Sequence, residues 1–417
     1  MPTAAWTWMI YLATHNNVAS AGEQSVQRMR EARLDGQVRV LVQQATPTSC
    51  VRLEVGADPE LVADLGSIDS GDPATLIDFV RWSVQTAPAD RYALVLWSHG
   101  TGWEPSEMAR VAAQRPAQVP VTTGELTQRG DDDEGRQIFF SSSLREILAQ
   151  PTPPERAVAF DDGSGHSLDT VELGQVAAAA ASLTGRDRLD LIAMNACQMS
   201  SAEVAFELRD HARVYVASQE DMPVQSLPYD LILTQLATAP DTSAEDLGRM
   251  IVRSYCGYFR DNPLDWGKRG LPRGVTLSAV SLPHAAQLST ATQALAAALR
   301  DSVGDQLKPV WAAHRAAHRF KFRLVDLASF CRGLLAQPEL DSASSAAAQA
   351  VLDVFAGANL LLAREHTDPF YDDTGGLTTY LMPPMPGKRL SPYYAQTAYA
   401  GSTGWGEFLA AYHAAGR

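Results

Sequence analysis

Two apolar segments of the sequence each lead into a residue that can take part in covalent catalysis. Residues 92–97 lead into His99, which a glycine follows, and residues 189–194 lead into Cys197. In a parallel α/β sheet, ligands bind beyond the carboxyl ends of the strands, so residues that follow two such strands can meet over one substrate. A thiol within reach of an imidazole forms a nucleophile and its base. The pair indicates covalent catalysis by a thiol, as in a cysteine peptidase.

The residues around this pair suit the steps of acyl transfer. The sequence after Cys197 predicts a helix that begins near Ser200, and the dipole and free NH groups of a helix start favour a thiolate. His99 would donate the proton that lets the amine leave. We expect the NH groups of Gly100 and Cys197 to form the oxyanion hole, at about 3 kcal/mol per donor.

The first half of the chain alternates short apolar segments with longer amphipathic ones. Nearly continuous apolar strands between helices indicate an α/β fold with a parallel sheet covered on both faces. Asp169 followed by Glu172 predicts a capping box at the start of one helix. We predict strands at 8–13, 38–43, 92–97, 157–160, 189–194 and 214–217, and helices at 19–32, 73–85 and 170–183.

The chain changes character twice along its length. Residues 1–260 form the predicted catalytic core, but within it residues 104–155 lose the strand and helix pattern and read as a long insertion. Loops of that length in a compact domain are usually functional or disordered. Residues 261–417 are mostly helical, with Ala-rich stretches at 285–299 and 342–363. A late strand near 376–382 is expected to pack on the core.

Composition and charge exclude several classes of protein. The 417 residues carry a net charge of −14 and no block of Lys or Arg, so neither nucleic acid nor an anionic membrane is an expected partner. The 4 cysteines form no Cys-x-x-Cys pair, so neither a disulfide scaffold nor a zinc site is indicated. Residues 6–12 read as a first strand and not as a signal peptide. We therefore predict a cytoplasmic protein.

Beyond the two catalytic segments, the sequence resembles the clostripain-type (C11) cysteine peptidases, which are relatives of caspases and gingipains. The match covers nearly the whole chain, with its landmarks in order. The resemblance implies a caspase-like α/β/α sandwich with a mostly parallel central sheet, an added C-terminal helical subdomain and a Cys-His dyad. The further landmarks are residues 6–17, 64–66, 70–73, 217–220, 228–229, 325–327, 374–377, 393–394 and 405–409.

The resemblance also implies which residues form S1, the pocket for the residue before the scissile bond. Family members usually carry Asp two residues before the cysteine, where it favours Arg or Lys, but this sequence has Asn195. The remaining candidates, Ser218, Glu220 and Asp221, are placed on the loop after the next strand. If either acid faces the pocket, cleavage after Arg persists, because a guanidinium pairs best with a carboxylate. Otherwise the two acids belong to a solvated loop.

The insertion holds an acidic cluster, and arginines lie beside it. The predicted reaction requires no cofactor, but the cluster at Asp131, Asp132 and Asp133 could bind calcium, which some relatives need. Relatives also mature by a cut between the histidine and cysteine segments. The insertion would then be a processing loop. A third interpretation, beside calcium binding and processing, is a solvated charged loop without a function of its own. The candidate processing sites are Arg110, Arg129 and Arg136.

Together these features predict a cysteine endopeptidase that cuts protein or peptide substrates after exposed Arg, and less readily after Lys. We expect a latent precursor that is activated by cleavage in the insertion, either by itself or by an upstream protease. Two alternatives stay open. The same dyad could serve a peptide ligase or another acyltransferase, or the chain could be a non-catalytic caspase-like scaffold, against which intact His99, Gly100 and Cys197 argue.

Overall fold

The computed structural model describes residues 3–56, 61–103, 158–264, 273–385, 390–391 and 393–416. In this part of the chain the apolar segments form strands of two sheets, one large and one small. The strands are β1 (Ala4–Ala13), β2 (Val38–Ala45), β3 (Cys50–Glu54), β4 (Leu61–Gly66), β5 (Ala89–Trp97), β6 (Leu189–Asn195), β7 (Ala212–Ala217), β8 (Thr276–Ser281), β9 (Leu324–Asp326), β10 (Leu361–His366) and β11 (Thr378–Tyr380).

The large sheet has nine strands in the order β10-β8-β7-β6-β5-β1-β2-β3-β4. The strands from β7 to β2 in this order run parallel, and antiparallel strands complete both edges. Every residue of β1 and of β6 is buried, as expected for central strands that are covered on both faces. The sheet is therefore a mostly parallel one whose carboxyl ends meet along a single edge.

Helices cover both faces of this sheet. They are α1 (Ala19–Arg30), α2 (Pro73–Thr86), α3 (Thr170–Leu183), α4 (Ala202–Leu208), α5 (Tyr229–Thr238), α6 (Ala244–Asp261), α7 (Ala285–Ala316), α8 (Leu327–Leu335), α9 (Ser342–Ala356), α10 (Ala398–Thr403) and α11 (Trp405–Ala415). One apolar cluster packs α1, α5 and α6 against the sheet, and a second packs α2, α3, α4 and the C-terminal helices against the opposite face. The result is an α/β/α sandwich with an added helical C-terminal region, as predicted.

The third predicted helix forms where the sequence placed it. It spans Thr170–Leu183, and the side chain of Asp169 accepts a hydrogen bond from Glu172 N while the Glu172 side chain accepts from Asp169 N. This reciprocal pair satisfies two of the NH groups that a helix start leaves open. The predicted capping box is confirmed.

Other local predictions differ from the structure. The strand predicted at 157–160 is reduced among the described residues to isolated bridges at Val158, because Ala159 has a φ of 58° and interrupts the extended backbone. The helical stretch predicted at 342–363 ends at Ala356, where Gly357 caps it, and the chain then forms β10. The sequence prediction also missed β3 and β4, the antiparallel pair at one edge.

The C-terminal half contributes strands as well as helices. Two strands from beyond residue 260, β8 and β10, lie in the large sheet beside β7. The predicted late strand forms as β11, which pairs with β9 in a separate two-stranded sheet and makes a bridge to Ser201 near the nucleophile segment. In the part of the chain described, no helix has the length and apolarity that a membrane crossing requires.

Candidate active site

His99 and Cys197 follow neighbouring strands at the same level. In the parallel pair of β5 and β6, Trp97 lies opposite Asn195, and each candidate lies two residues further along its chain. Ser98 N donates to the carbonyl oxygen of Asn195 at 3.3 Å, so the two segments stay together past the strand ends. Side chains two residues apart on a strand share a face. The register therefore places both candidates at the carboxyl edge of the sheet and on one face.

The imidazole of His99 is fully buried and held by two other segments. Its Nε2 makes a hydrogen bond of 3.1 Å with Oδ1 of Asn17, which follows β1. Its ring lies edge-on to Phe160, with centroids 6.0 Å apart and an angle of 81° between the planes. Phe160 belongs to the same apolar cluster as Cys197. These contacts fix the ring on the face of the sheet that carries the thiol.

The glycine after the histidine is required by the close approach of two backbones. A Cβ at Gly100 would lie 2.5 Å from the carbonyl oxygen of Cys197 and 3.1 Å from its nitrogen. The backbone of Cys197 therefore fills the space that the missing side chain leaves. The role of the Gly100 and Cys197 NH groups as an oxyanion hole stays a prediction.

The thiol of Cys197 is buried, and its surroundings hold it in the neutral form. Burial raises its pKa well above the usual value, and the negative charge of Asp221 raises it further. The NH of Met222 donates to Sγ at 3.2 Å and acts in the opposite direction, as does Lys321. The helix that follows begins at Ala202 and has only seven residues. Sequence reasoning expected the helix start to favour a thiolate, but here desolvation outweighs that effect.

The residue after the nucleophile turns the chain sharply. Gln198 has a φ of 60°, a left-handed conformation that residues other than glycine seldom adopt. Its NH donates to the carbonyl oxygen of Glu220 at 3.2 Å, and its Nε2 donates to Oδ1 of Asp221 at 2.9 Å. The turn thus ties the nucleophile segment to the loop that carries the two candidate S1 acids.

Asp221 is a fully buried carboxylate beside Cys197. It forms an ion pair with Lys321, whose side chain reaches it from the segment between α7 and β9. Burial is the largest influence on the pKa of Lys321 and acts to lower it, but the charge and hydrogen bond of Asp221, together with Cys197 and Glu220, outweigh burial and raise that pKa. A buried charge persists only when it is paired and hydrogen-bonded. Lys321 and Gln198 together meet that requirement for Asp221.

Glu220 is buried next to Asp221 and has a different environment. Its carboxylate accepts a hydrogen bond of 2.8 Å from Asp221 N and one of 3.1 Å from the hydroxyl of Tyr371. Burial and the neighbouring charge of Asp221 raise its pKa to about 7. The interpretation of Glu220 and Asp221 as a solvated loop is therefore wrong, because both side chains are buried.

The other two predicted S1 residues take part in hydrogen bonds that shape the loops. Oδ1 of Asn195 accepts from Ser226 Oγ and from Leu227 N, both at 3.0 Å. The hydroxyl of Ser218 donates to the carbonyl oxygen of Glu220 at 2.9 Å and accepts from its NH at 3.1 Å. Contact of either residue with a substrate stays a prediction.

Strained backbone is concentrated at this edge of the sheet. Four described residues other than glycine have a positive φ, and each is adjacent to, or bonded to, a residue of the site. Such conformations cost of order 1–3 kcal/mol each and persist only where the surrounding structure holds them, which is common at functional sites. They are Ala159 beside Phe160, Gln198 beside Cys197, Ser226 bonded to Asn195, and Arg323 in the turn of Lys321.

Three contacts of the site were not predicted. Asn17 belongs to the landmark segment at 6–17, and its position after a strand at the same edge was a usable signal. Lys321 and Tyr371 carry no local motif, and only their distant partners, Asp221 and Glu220, identify them. The structure therefore adds these contacts from the C-terminal half of the chain.

The insertion contributes nothing to the geometry described. The processing candidates Arg110, Arg129 and Arg136 and the acidic residues Asp131, Asp132 and Asp133 lie outside the described residues. Within the described residues, no group of three or more His, Cys, Asp or Glu side chains could hold a metal ion. Processing and calcium binding both stay predictions.

Comparisons with known proteins agree with this architecture. The sequence model of the clostripain family, Peptidase C11, matches residues 10–121 and 145–361. A secreted C11 cysteine protease from Bacteroides thetaiotaomicron, solved with an irreversible peptide inhibitor, superposes with a TM-score of 0.64 at 18% identity, over 96% of this chain and 99% of that chain.

A second solved structure is an inactive zymogen C11 protease from Parabacteroides distasonis. It superposes with a TM-score of 0.63 at 17% identity, over 97% of this chain and 99% of that chain. At these identities the two superpositions establish the fold. Comparison with curated proteins gave no match.

Proposed function

Because the chain belongs to the clostripain family of cysteine peptidases, we propose that it hydrolyses peptide bonds with Cys197 as the nucleophile and His99 as the general acid. The observation that carries the proposal is the register of β5 and β6, which sets the two residues side by side at one edge of the sheet. Residues at such an edge can act on one ligand.

In the proposed reaction His99 takes the proton of the Cys197 thiol, the sulfur attacks the scissile carbonyl carbon, and the electron pair of the carbonyl moves onto its oxygen. NH groups of Gly100 and Cys197 stabilise that oxyanion. His99 then gives a proton to the departing amine, and a water molecule that His99 deprotonates releases the acyl group from the thioester. Asn17 holds Nε2 of the imidazole and so sets the ring orientation throughout.

For the residue before the scissile bond we propose a preference for Arg, with Lys accepted less readily. Support comes from Asp221, a buried carboxylate that lies close enough to Cys197 to raise the pKa of its thiol. A guanidinium can form two parallel hydrogen bonds to a carboxylate, whereas an ammonium pairs as a point charge. Asn195 offers only a neutral amide, and its Oδ1 already accepts two hydrogen bonds.

We also propose that the chain is a latent precursor. The full burial of Cys197 and the raised pKa of its thiol support this, because a neutral, enclosed thiol is a poor nucleophile. Cleavage within residues 104–155, by the protein itself or by an upstream protease, would open the site. Arg110, Arg129 and Arg136 are the proposed cut sites, and calcium at Asp131–Asp133 and a cytoplasmic location remain proposals.

The proposed function is tested on protein that an added protease has cut within residues 104–155, with fluorogenic peptides that differ only in the residue before the scissile bond: Arg, Lys, norleucine or Asp. We expect hydrolysis in the order Arg, Lys, norleucine, with none after Asp, and no turnover by Cys197→Ala. Equal signals from the two proteins would rule out this enzyme activity. A preference for Asp or norleucine would rule out the basic specificity.

The pocket assignment has its own variant and control. Asp221→Asn should lower kcat/KM for the Arg peptide by about 10- to 100-fold, because the substrate cation loses its charged partner. Asp210→Asn, at a carboxylate whose side chain is 57% exposed, should leave kcat/KM unchanged. If Asp221→Asn keeps the wild-type preference for Arg, then Asp221 does not belong to the S1 pocket.

Latency is tested by mass spectrometry of the protein before and after activity appears. We expect the intact chain to react slowly with iodoacetamide at Cys197 and the cut chain to react fast. The new termini should follow Arg110, Arg129 or Arg136. An intact chain with full activity would contradict latency.

A further inference from the structure

Lys321, from the C-terminal half of the chain, forms an ion pair with Asp221, the carboxylate beside Cys197. Lys321 is part of a short 3-10 turn, Lys321–Arg323, between α7 and β9, and its Nζ pairs with Oδ2 of Asp221. The Asp221 side chain is fully buried, whereas the Lys321 side chain is 35% exposed. The ammonium therefore enters the site while part of its stem stays in contact with solvent.

Both oxygens of the Asp221 carboxylate are engaged. Oδ1 accepts from Nε2 of Gln198 at 2.9 Å, and Oδ2 binds the ammonium of Lys321. A Lys side chain of a substrate would bring the same ammonium group to the same acceptor. Two cations at one buried carboxylate oxygen repel each other, so a basic substrate side chain competes with Lys321 for Asp221.

The local backbone allows the lysine to leave without loss of the surrounding fold. Phe320 N donates to the carbonyl oxygen of Leu324 at 2.8 Å, which closes a short loop with Lys321 in its tip. Arg323, in the same tip, has a φ of 60°. Connecting segments are on average more mobile than the elements that they join, which would let the Lys321 side chain leave Asp221 while α7 and β9 stay in place.

We propose that Lys321 is a specificity-determining residue whose ammonium occupies the anionic subsite of the resting enzyme, and that a basic substrate binds by displacing it. The inference rests on the assignment of Asp221 to the S1 pocket in the proposed function. Lys321 competes with the substrate side chain for Asp221. The apparent Kd for basic peptides therefore rises as the fraction of molecules in which Lys321 leaves the subsite open falls. A neutral side chain in the pocket is tolerated, because the carboxylate then stays paired with Lys321.

The first test measures binding without chemistry. In a Cys197→Ala background, calorimetry with a peptide that carries Arg before the scissile bond should give a Kd about tenfold lower for Lys321→Met than for the parent. Lys308→Met, at a lysine of α7 whose side chain is 88% exposed, should match the parent. Lys321→Gln repeats the measurement if the Met variant does not fold. An unchanged or higher Kd for both Lys321 variants would overturn the inference.

The second test separates occupation of the subsite from support of the thiolate. On the processed full-length enzyme, Lys321→Met should lower KM for Arg and Lys peptides by about tenfold while kcat stays constant. It should also increase discrimination against norleucine, because a neutral side chain would then face an unpaired buried carboxylate. A fall in kcat with a pH-rate profile displaced to higher pH would instead show that Lys321 serves Cys197, and would overturn the inference.

The two proposals fail in different ways. If Asp221→Asn lowers kcat/KM for Arg peptides but Lys321→Met changes neither KM nor selectivity, only the inference about Lys321 fails. If the wild-type enzyme treats Arg and norleucine alike and Asp221→Asn has no effect, the basic specificity fails and the inference fails with it.

Discussion

The two ends of the large sheet hold charged residues in opposite settings. At the amino end, a cavity of about 430 Å³ is lined by the charged side chains of Asp90, Arg91, Arg186, Asp190, Arg213 and Glu245. The ion pair there is loose, with 3.9 Å between Arg213 Nε and Asp190 Oδ1; the arginine side chain is 56% exposed, although that of Asp190 is only 8% exposed. At the carboxyl end, Asp221 is fully buried and paired, within a strained loop system.

This contrast shows which property marks a functional site. Exposed ion pairs at the rim of a cavity contribute little, because water screens them and two long side chains must be ordered. Buried charges and positive φ angles cost free energy and survive where function requires them. The amino end has a charged cavity, and the carboxyl end has the proposed nucleophile and base together with the strained backbone.

The largest expected difference between the two ends is in catalysis. Cys197→Ala should reduce kcat/KM for an Arg peptide at least about 10⁴-fold, because no other described group at that edge replaces the sulfur. Arg213→Ala, in the cavity at the amino end, should stay within about twofold of wild type. Steady-state kinetics on both variants checks this. A similar decrease in kcat/KM in both variants would contradict the assignment of catalysis to the carboxyl end.

The next largest effect concerns the contact of the His99 and Cys197 segments. Gly100→Ala forces a Cβ to within 2.5 Å of a backbone oxygen, so the two segments must separate. If Gly100 also supplies an oxyanion donor, kcat should fall by about 10² to 10³-fold. Gly257→Ala, in α6 where no atom lies within 4 Å of the added carbon, is the matched control. Thermal unfolding and kcat are measured on both, and a fully active Gly100→Ala enzyme would contradict the close approach.

A smaller effect should come from the residue that holds the imidazole. Asn17→Ala removes the acceptor for His99 Nε2, so the ring is free to rotate and kcat should fall about tenfold with little change in KM. Asn17→Asp keeps an acceptor oxygen and should recover most of the loss. The pH dependence of kcat/KM should shift in the Asp variant, because a carboxylate raises the pKa of a neighbouring imidazole. A rise in KM with unchanged kcat would assign Asn17 to substrate binding instead.

The smallest effect is on the pH dependence of stability. The pKa of Glu220 is raised to about 7 from a usual value of 4.5, so the folded state binds this proton more tightly than the unfolded state. The stability that Glu220 contributes is complete below pH 4.5 and is lost as pH rises to about 7. Urea unfolding from pH 4.5 to 8 should therefore show a decline in wild type that Glu220→Gln lacks. Glu245→Gln at the amino end is the control, and identical slopes for both variants would contradict the burial of an ionisable Glu220.

The sequence was sufficient to predict the central strands and the two residues, His99 and Cys197, that follow neighbouring strands at one edge of the sheet. Strands covered on both faces are nearly continuous apolar segments, and the polar residues that follow them stand out, as His99 and Cys197 do. Asp221 was a candidate, but its burial was not foreseeable, because a charged residue in a loop is usually solvated. Lys321 lies 100 residues from its partner and has no motif, so only tertiary packing identifies it. Ala159 shows the same limit, since a single positive φ replaces a predicted strand with a bend.

The position of Lys321 in the chain has a consequence for the protein during its synthesis. Ribosomes add about 5 to 20 residues per second, so roughly 5 to 20 s pass between the addition of Asp221 and that of Lys321. Throughout that interval the nascent chain contains the nucleophile, the base and the acidic residue at 221, but lacks the cation that neutralises the acid. Until Lys321 is made, the carboxylate at 221 has no ammonium partner, and wherever it already lies beside the thiol its charge disfavours the thiolate.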